Sequence, residues 1–356
     1  MALGQEGLIP KPAESTLSAM LTIIPYAKAM VSPFALAAER LPRWIVGGVA
    51  AFAVAAIPLA AVMAQPASSS FTIAGTGQGF SSLQAAVDAI GQGSGTVLIG
   101  AGIHEQCAVQ RAGRIEYRAQ EPGRTVLNGT ICEGKAALVL RGEAARITGL
   151  TFTNMRVPEK NGAGIRLENG TLDVSQTWFR DSEQGILTVN GKQSRITIDK
   201  STFTRLGTCE GRGGCAHSIY IGDYGELVVT RSRFEEGRGG HYVKSRASRN
   251  TISDNSFDDT GGRVTNYMID LPSGGAGSIT GNWFVQGKDK ENWSTLIAVG
   301  AEGAKYSSDG LVIEGNDARL APGITRQPVF VADWTGDRLA IGRNALGPNL
   351  KPFETR

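Results

Sequence analysis

Four basic side chains crowd one short run of the sequence: His241, Lys244, Arg246 and Arg249, within GHYVKSRASRN (Gly240–Asn250). Cations side by side on a strand repel one another and gain nothing from burial, so the run either meets a negative ligand or lies at a solvated edge. An acidic sugar would suit it. Elimination across a uronate needs a cation on the carboxylate, a base for the C5 proton and a donor for the departing oxygen. The cation makes that proton removable by stabilising an enolate-like transition state. Arg246, permanently charged and bidentate, fits the first role. Lys244 or Tyr220 fits the second, and Tyr220, His241 or His217 the third. Tyr242, Asp270, His217, Arg249 and Glu302 are the expected substrate contacts.

The lysine raises an objection of its own. A Lys base must shed its proton from an ordinary pKa of about 10.4. Arg246 and Arg249 would lower that value and Asp270 would raise it. If Asp270 pairs with Lys244, the lysine is structural and Tyr220 or a histidine acts as base. If Asp270 and Asp223 instead hold Ca²⁺, with Glu302 as companion, the ion takes over carboxylate neutralisation. The residues leave both open. Glu291 in KDKEN reads as a solvated charge run and His104 as structural, whereas glycines on either side of Glu302 allow close backbone approach.

These residues need elements that bring them together, and an internal repeat supplies them. Phe152, Phe179, Phe203, Phe234, Phe257 and Phe284 recur at spacings of 27, 24, 31, 23 and 27. Two positions before each phenylalanine stand Leu150, Thr177, Ser201, Ser232, Asn255 and Asn282, with Asn316 following later. Short alternating runs between Gly, Asn and Asp turns (GILTV, HSIYIG, HYVKS, YMIDLP, TLIAVG) cannot bury a core singly. Stacked as coils they can, in a single-stranded parallel β-helix with Phe and Ser/Asn ladders inside. Propeller blades are longer and sandwiches do not repeat. Laid coil on coil, HSIYIG, HYVKSR and YMIDLP put Ile219, Val243 and Ile269 inward. Tyr220, Lys244 and Asp270 then form one outward row, with a second outward row of Ser218, Tyr242 and Met268. His217 and His241 stack at the strand entrance. SSLQAAVDAI (Ser81–Ile90) is an amphipathic helix capping the first coil.

The lead-in FSSLQAAVDAIGQGSGTVLIGAGIHEQCAV, followed by such coils, resembles the right-handed parallel β-helix proteins of the pectate-lyase-like superfamily, from roughly Phe71 to Pro348. GHYVKSRASRNTISDN, YMIDLPSGG and GAEG look like an exported bacterial subgroup of it. The resemblance implies the right-handed solenoid and, by likeness to alginate- and chondroitin-type lyases, a Lys and an Arg near the scissile bond. It does not fix an activity, since the superfamily holds lyases, hydrolases, epimerases, esterases and adhesins.

Composition narrows the rest. Of 356 residues 19% are charged, the formal net charge is +3, and glycine (47) far outnumbers proline (14). A phosphate-neutralising nucleic-acid binder would be more basic. Ile45–Ala64 is uncharged and follows Arg40 and Arg43, which reads as an export signal ending at Val62-Met63-Ala64, or as a retained anchor. Met20 or Met30 would serve as alternative starts. Four cysteines in an exported chain read as two disulfides: Cys107–Cys132, one coil apart, and Cys209–Cys215, closing CEGRGGC. The expected organisation is a leader over 1–64, a lead-in over 65–80, the β-helix over 81–348 and a tail over 349–356. The expected partner is an acidic polysaccharide met by a monomer, with membrane contact only through the apolar segment. β-Elimination is the first expectation, C5-epimerisation and binding without turnover the alternatives. A glycoside hydrolase would need two facing carboxyls, and the row offers Asp270 alone.

Overall fold

In the computed structural model, which describes residues 69–356, the six repeated phenylalanines form one internal stack. Neighbouring ring centroids lie 4.8–5.0 Å apart with planes within 5–8° of parallel, and every ring is fully buried. Parallel coils repeat about every 4.8 Å, so identical rings at one register have to lie face to face. Each such pair adds roughly 0.5–1.5 kcal/mol beyond area burial.

The Ser/Asn ladder runs beside this stack. Ser201 Oγ accepts from the Thr177 N–H (3.3 Å), Ser232 Oγ from Ser201 (3.1 Å) and Asn255 Oδ1 from Ser232 (2.9 Å). Asn282, Asn316 and Asn344 continue it, each accepting at 3.0 Å from the coil before. From Thr177 to Asn316 the residue ahead of each ladder position holds positive φ: Gln176, Lys200, Arg231, Asp254, Gly281 and Gly315. That turn leaves a backbone N–H without a strand partner, and the next coil's side chain satisfies it.

Three parallel sheets result, of twelve, ten and ten strands, with successive coils contributing neighbouring strands. The first sheet opens with two antiparallel strands, Phe71–Ile73 and Gly79–Phe80, so the lead-in is part of the fold. The helix runs Leu83–Ile90, two residues shorter at its start than expected because Ser82 is its N-cap, accepting from the Ala85 N–H. Leu83, Ala86 and Val87 close the core at that end. The other end departs from expectation too: Lys351–Thr355 is a strand paired to Val329–Asp333, not a tail. Both disulfides form, Cys107–Cys132 and Cys209–Cys215. The apolar segment Ile45–Ala64, its cleavage site and the alternative starts lie outside the described residues. Among the described residues no helix is long and apolar enough to cross a membrane.

Candidate functional site

The third sheet carries one outward ladder whose composition changes along the solenoid. In register it reads Arg166, Leu187, Tyr220, Lys244, Asp270 and Ala298. Ile165, Ile186, Ile219, Val243, Ile269 and Ile297 alternate with it and point into the core. Towards the N-terminal end the outer face is apolar, with Val109, Ala136, Val139, Ala163 and Leu187 packed against Cys132 and Tyr220. Beyond it lies a cleft of about 570 Å³ floored by Tyr220, Lys244 and Arg246.

Loops raise its walls. Glu159 and Asn161 stand on one side, Gly213–Cys215 of the small disulfide loop on another, and Asn266, Glu291 and Glu302 on a third. Buried acids fix two of these loops. Glu183 accepts from the Val157 and Gly162 N–H groups, both at 2.9 Å. Asp259 accepts from Tyr242, Thr265 and the Gly287 N–H, and forms a fully buried pair with Lys290 at 3.0 Å.

Lys244 sits at the centre of an ionic chain. Its Nζ lies 3.0 Å from Asp270 and 2.6 Å from Glu302. Arg246, just past the strand Val243–Ser245, folds back across Tyr220: its Nε donates to the Tyr220 hydroxyl (3.1 Å), Nη1 donates to Ser273 (3.3 Å), and Nη2 pairs with Glu302. One carboxylate is thus held by two cations. Burial alone would lower the Lys244 pKa, but Asp270 and Glu302 outweigh it and hold the ammonium above its ordinary value. Burial would likewise raise Glu302, yet Lys244 and Arg246 keep it below the usual carboxylate range.

The two histidines stack at 5.0 Å between centroids. The His241 backbone N–H donates to His217 Nδ1 at 3.0 Å, which places the His217 proton on Nε2. Gly240 permits this approach: a Cβ there would lie 2.5 Å from that same Nδ1 and 2.2 Å from the Ala216 carbonyl oxygen, at φ +60°. Burial, with help from Lys244, pulls the His217 pKa down to about 3. His241 is likewise driven well below its ordinary value, by burial and then by His217. Its Nε2 faces Asp270 at 3.3 Å.

Several expected contacts are placed differently. Asp270 is buried under Lys244 and His241, where it fixes both and leaves the cleft to them; burial raises its pKa to about 6 although Lys244 opposes. Tyr242 precedes its strand and turns inward between Phe234 and Phe257, so it organises Asp259. Ser218 and Met268 of the same row are buried as well. Arg249 opens the strand Arg249–Ser253 on the first sheet, around a corner from the cleft. Asp223 is taken by Lys305 and Tyr306, which hold its carboxylate low against the effect of burial. The expected Ca²⁺ set therefore does not assemble, because Asp223 and Asp270 each neutralise protein cations. Among the described residues the one close trio of ligand types is Cys209, Cys215 and Glu291, and its sulfurs are spent in a disulfide. Glu291, read as solvated, lines the cleft and accepts from Asn266. His104 Nε2 donates to the Gly100 carbonyl at 2.8 Å and the ring packs on Phe71, a structural place.

Arg166, Gln184 and Thr188 line the cleft and were not singled out from the sequence. The signal was present. AGIRL, QGILT and HSIYI align on Ile165, Ile186 and Ile219, which puts Arg166 in the same outward column as Tyr220.

Residues 136–318, just over half of the chain, match the family described as "Right handed beta helix region". The chain belongs to the right-handed β-helix family. No curated protein matches this β-helix protein. Among solved structures it is similar to a PL6 family alginate lyase, AlyGC, at 13% identity and a TM-score of 0.39, over 71% of this chain and 36% of that one. It is also similar to a Geobacillus virus E2 protein, ORF18, at 15% identity and a TM-score of 0.37, over 77% of this chain and 57% of that one. The β-helix protein thus spans about a third of the first and somewhat over half of the second. At these values neither neighbour bears on what the cleft does.

Proposed function

We propose that this β-helix protein is exported and binds a uronate-containing polysaccharide in the cleft over its third sheet, acting on it by β-elimination. The observation that carries the reading is the convergence of Lys244 and Arg246 on a single carboxylate, that of Glu302. A pair of cations that already holds one carboxylate on an outer face suits a sugar carboxylate equally well. Two closed disulfides fit an oxidising compartment.

Lys244 is held protonated, so its role is charge neutralisation with Arg246, not proton removal. Tyr220, hydrogen-bonded to Arg246 on the same floor, is the group placed to take the C5 proton. The C5–H bond breaks, its electrons form the C4–C5 double bond, and the C4–O bond breaks with its electrons going to the departing oxygen. The proton that Tyr220 takes from C5 is the one returned to that oxygen, and His217 Nε2–H, a neutral hydrogen-bond donor, steadies the oxygen as it leaves, because the corresponding nitrogen of His241 is turned to Asp270. A C5-epimerase would share the first step and return the proton from the opposite face. Binding without turnover is the second reading, favoured by the tight pairing of Lys244 between two carboxylates.

The test is a screen of the purified protein against uronate-containing glycans, with and without Ca²⁺, following the ultraviolet absorbance of unsaturated product ends. Unsaturated ends support elimination, altered uronate stereochemistry alone replaces it with epimerisation, and saturable binding without either supports the second reading. No interaction with any uronan overturns the proposal.

A further inference from the structure

Glu302 is the odd member of the ionic chain. Lys244 and Arg246 rise from the sheet, with side chains 10% and 26% exposed, whereas Glu302 reaches them from a loop and is 46% exposed. The loop is fastened at several points. The Glu302 N–H donates to the Pro272 carbonyl (3.0 Å) and the Tyr306 N–H to Ser273 (2.9 Å), while Lys305 and Tyr306 clasp Asp223. Gly300 and Gly303 hold φ of 78° and 105° around it, a path open chiefly to glycine. The backbone is therefore tied down on both sides of a half-exposed side chain that is held by Lys244 and Arg246.

We propose that Glu302 is a built-in occupant of the site that receives the ligand's carboxylate, and that a uronate binds by exchanging its own carboxylate for that of Glu302. The inference rests on the reading of the cleft as a uronate site and adds how that site selects. With Glu302 in place, the partly buried Arg246 is never without a carboxylate, which would be the costly state, and Lys244 has a second one besides Asp270. An incoming carboxylate reproduces both ion pairs, so the exchange is close to balanced and the remaining sugar contacts decide it. A neutral sugar offers nothing to replace Glu302 and leaves the cation pair closed. Glu302 is thereby a specificity-determining residue acting through competition. Affinity is reduced by the fraction of molecules in which its carboxylate occupies the site.

A purely structural ion pair would behave differently, and calorimetric titration of the full chain with sodium glucuronate and, separately, methyl glucoside separates the two. Glu302→Gln keeps the side-chain size and removes the competing charge. It should bind glucuronate about tenfold more tightly than the unmodified protein, a gain of roughly 1.4 kcal/mol, with no gain for methyl glucoside. Glu302→Ala should show the same gain. Adding Lys244→Met to Glu302→Gln should remove it. Unchanged or weaker glucuronate binding by both Glu302 variants would overturn the inference, as would an equal gain for the neutral sugar, or no glucuronate binding by any form. Turnover is read separately. Tighter glucuronate binding by Glu302→Gln with no action on any uronan upholds the exchange and removes the lyase reading. Uronan cleavage with glucuronate affinity indifferent to residue 302 does the reverse.

Discussion

The backbone N–H of His241 points at Nδ1 of His217, 3.0 Å away, and so decides which nitrogen of His217 carries its proton. A second proton would have to enter a buried pair of stacked rings beside Lys244. With the His217 pKa near 3 in the folded chain and about 6.5 in the unfolded one, the unfolded state takes up the proton first as pH falls. The stabilising contribution is complete above pH 6.5 and is lost as pH drops below it, at up to about 1.4 kcal/mol per pH unit for each histidine. His241 acts in the same direction. Asp270 opposes them: raised to about 6, it favours the folded state below its ordinary value and loses that contribution as pH rises through 6. Two histidines outweigh one aspartate, so denaturant-unfolding free energy should climb between about pH 4 and 6.5. His217→Gln should flatten that climb by about one proton. An identical slope in the variant would remove His217 from the account.

Lys244 bridges a buried carboxylate and an exposed one, and the two partners report on different things. Lys244→Met should cost about 3 kcal/mol of stability, because Asp270 keeps its burial and loses its cation. Adding Asp270→Asn should recover most of that loss and, under the proposed elimination, leave uronan turnover down at least about a hundredfold for want of a charge-stabilising donor. Urea titrations and initial rates on the double variant check both halves. Recovery of turnover along with stability would show that Lys244 serves the fold alone.

The Asn282 side chain holds four hydrogen bonds in the internal ladder. It accepts from the Asn255 N–H and side-chain amide, and donates to the Ile252 carbonyl and Asn316 Oδ1. Asn282→Ala strands the buried Asn255 N–H and should lower stability by about 1–3 kcal/mol. Asn282→Ser keeps an acceptor at the position, as Ser201 and Ser232 do in their own coils, and should lose less. Equal losses for Ala and Ser, measured by thermal or urea unfolding, would mean that the ladder contributes through packing only.

The legibility of this chain follows from where its periodicity is strong. The phenylalanine and Ser/Asn columns are spaced by whole coils, so one alignment of the sequence reproduces the stack of Phe152 to Phe284 and the ladder up to Asn316. The same alignment puts Tyr220, Lys244 and Asp270 in successive register. Outside the three-residue strands the alternation of faces ceases. Tyr242 precedes Val243, the first strand residue, and counting by twos sends it outward when its backbone turns it inward. Arg249 lies past a corner that starts a different sheet. Exposure also depends on neighbours distant in sequence. Nothing local marks Asp270 as roofed by Lys244 and His241, or assigns Asp223 to Lys305, some eighty residues away.

The division of labour between strands and loops has a consequence for how such a chain can change. Columns of buried rings and amides hold the rungs at a fixed pitch from inside the solenoid. Glu159, Asn161, Glu291 and Glu302, the side chains that would read one sugar from another, all hang on connections between rungs. Those connections can lengthen, shorten or be swapped while the scaffold is inherited intact. Ligand preference in this architecture can therefore drift through the loop tips, provided the buried anchors Glu183 and Asp259 are kept.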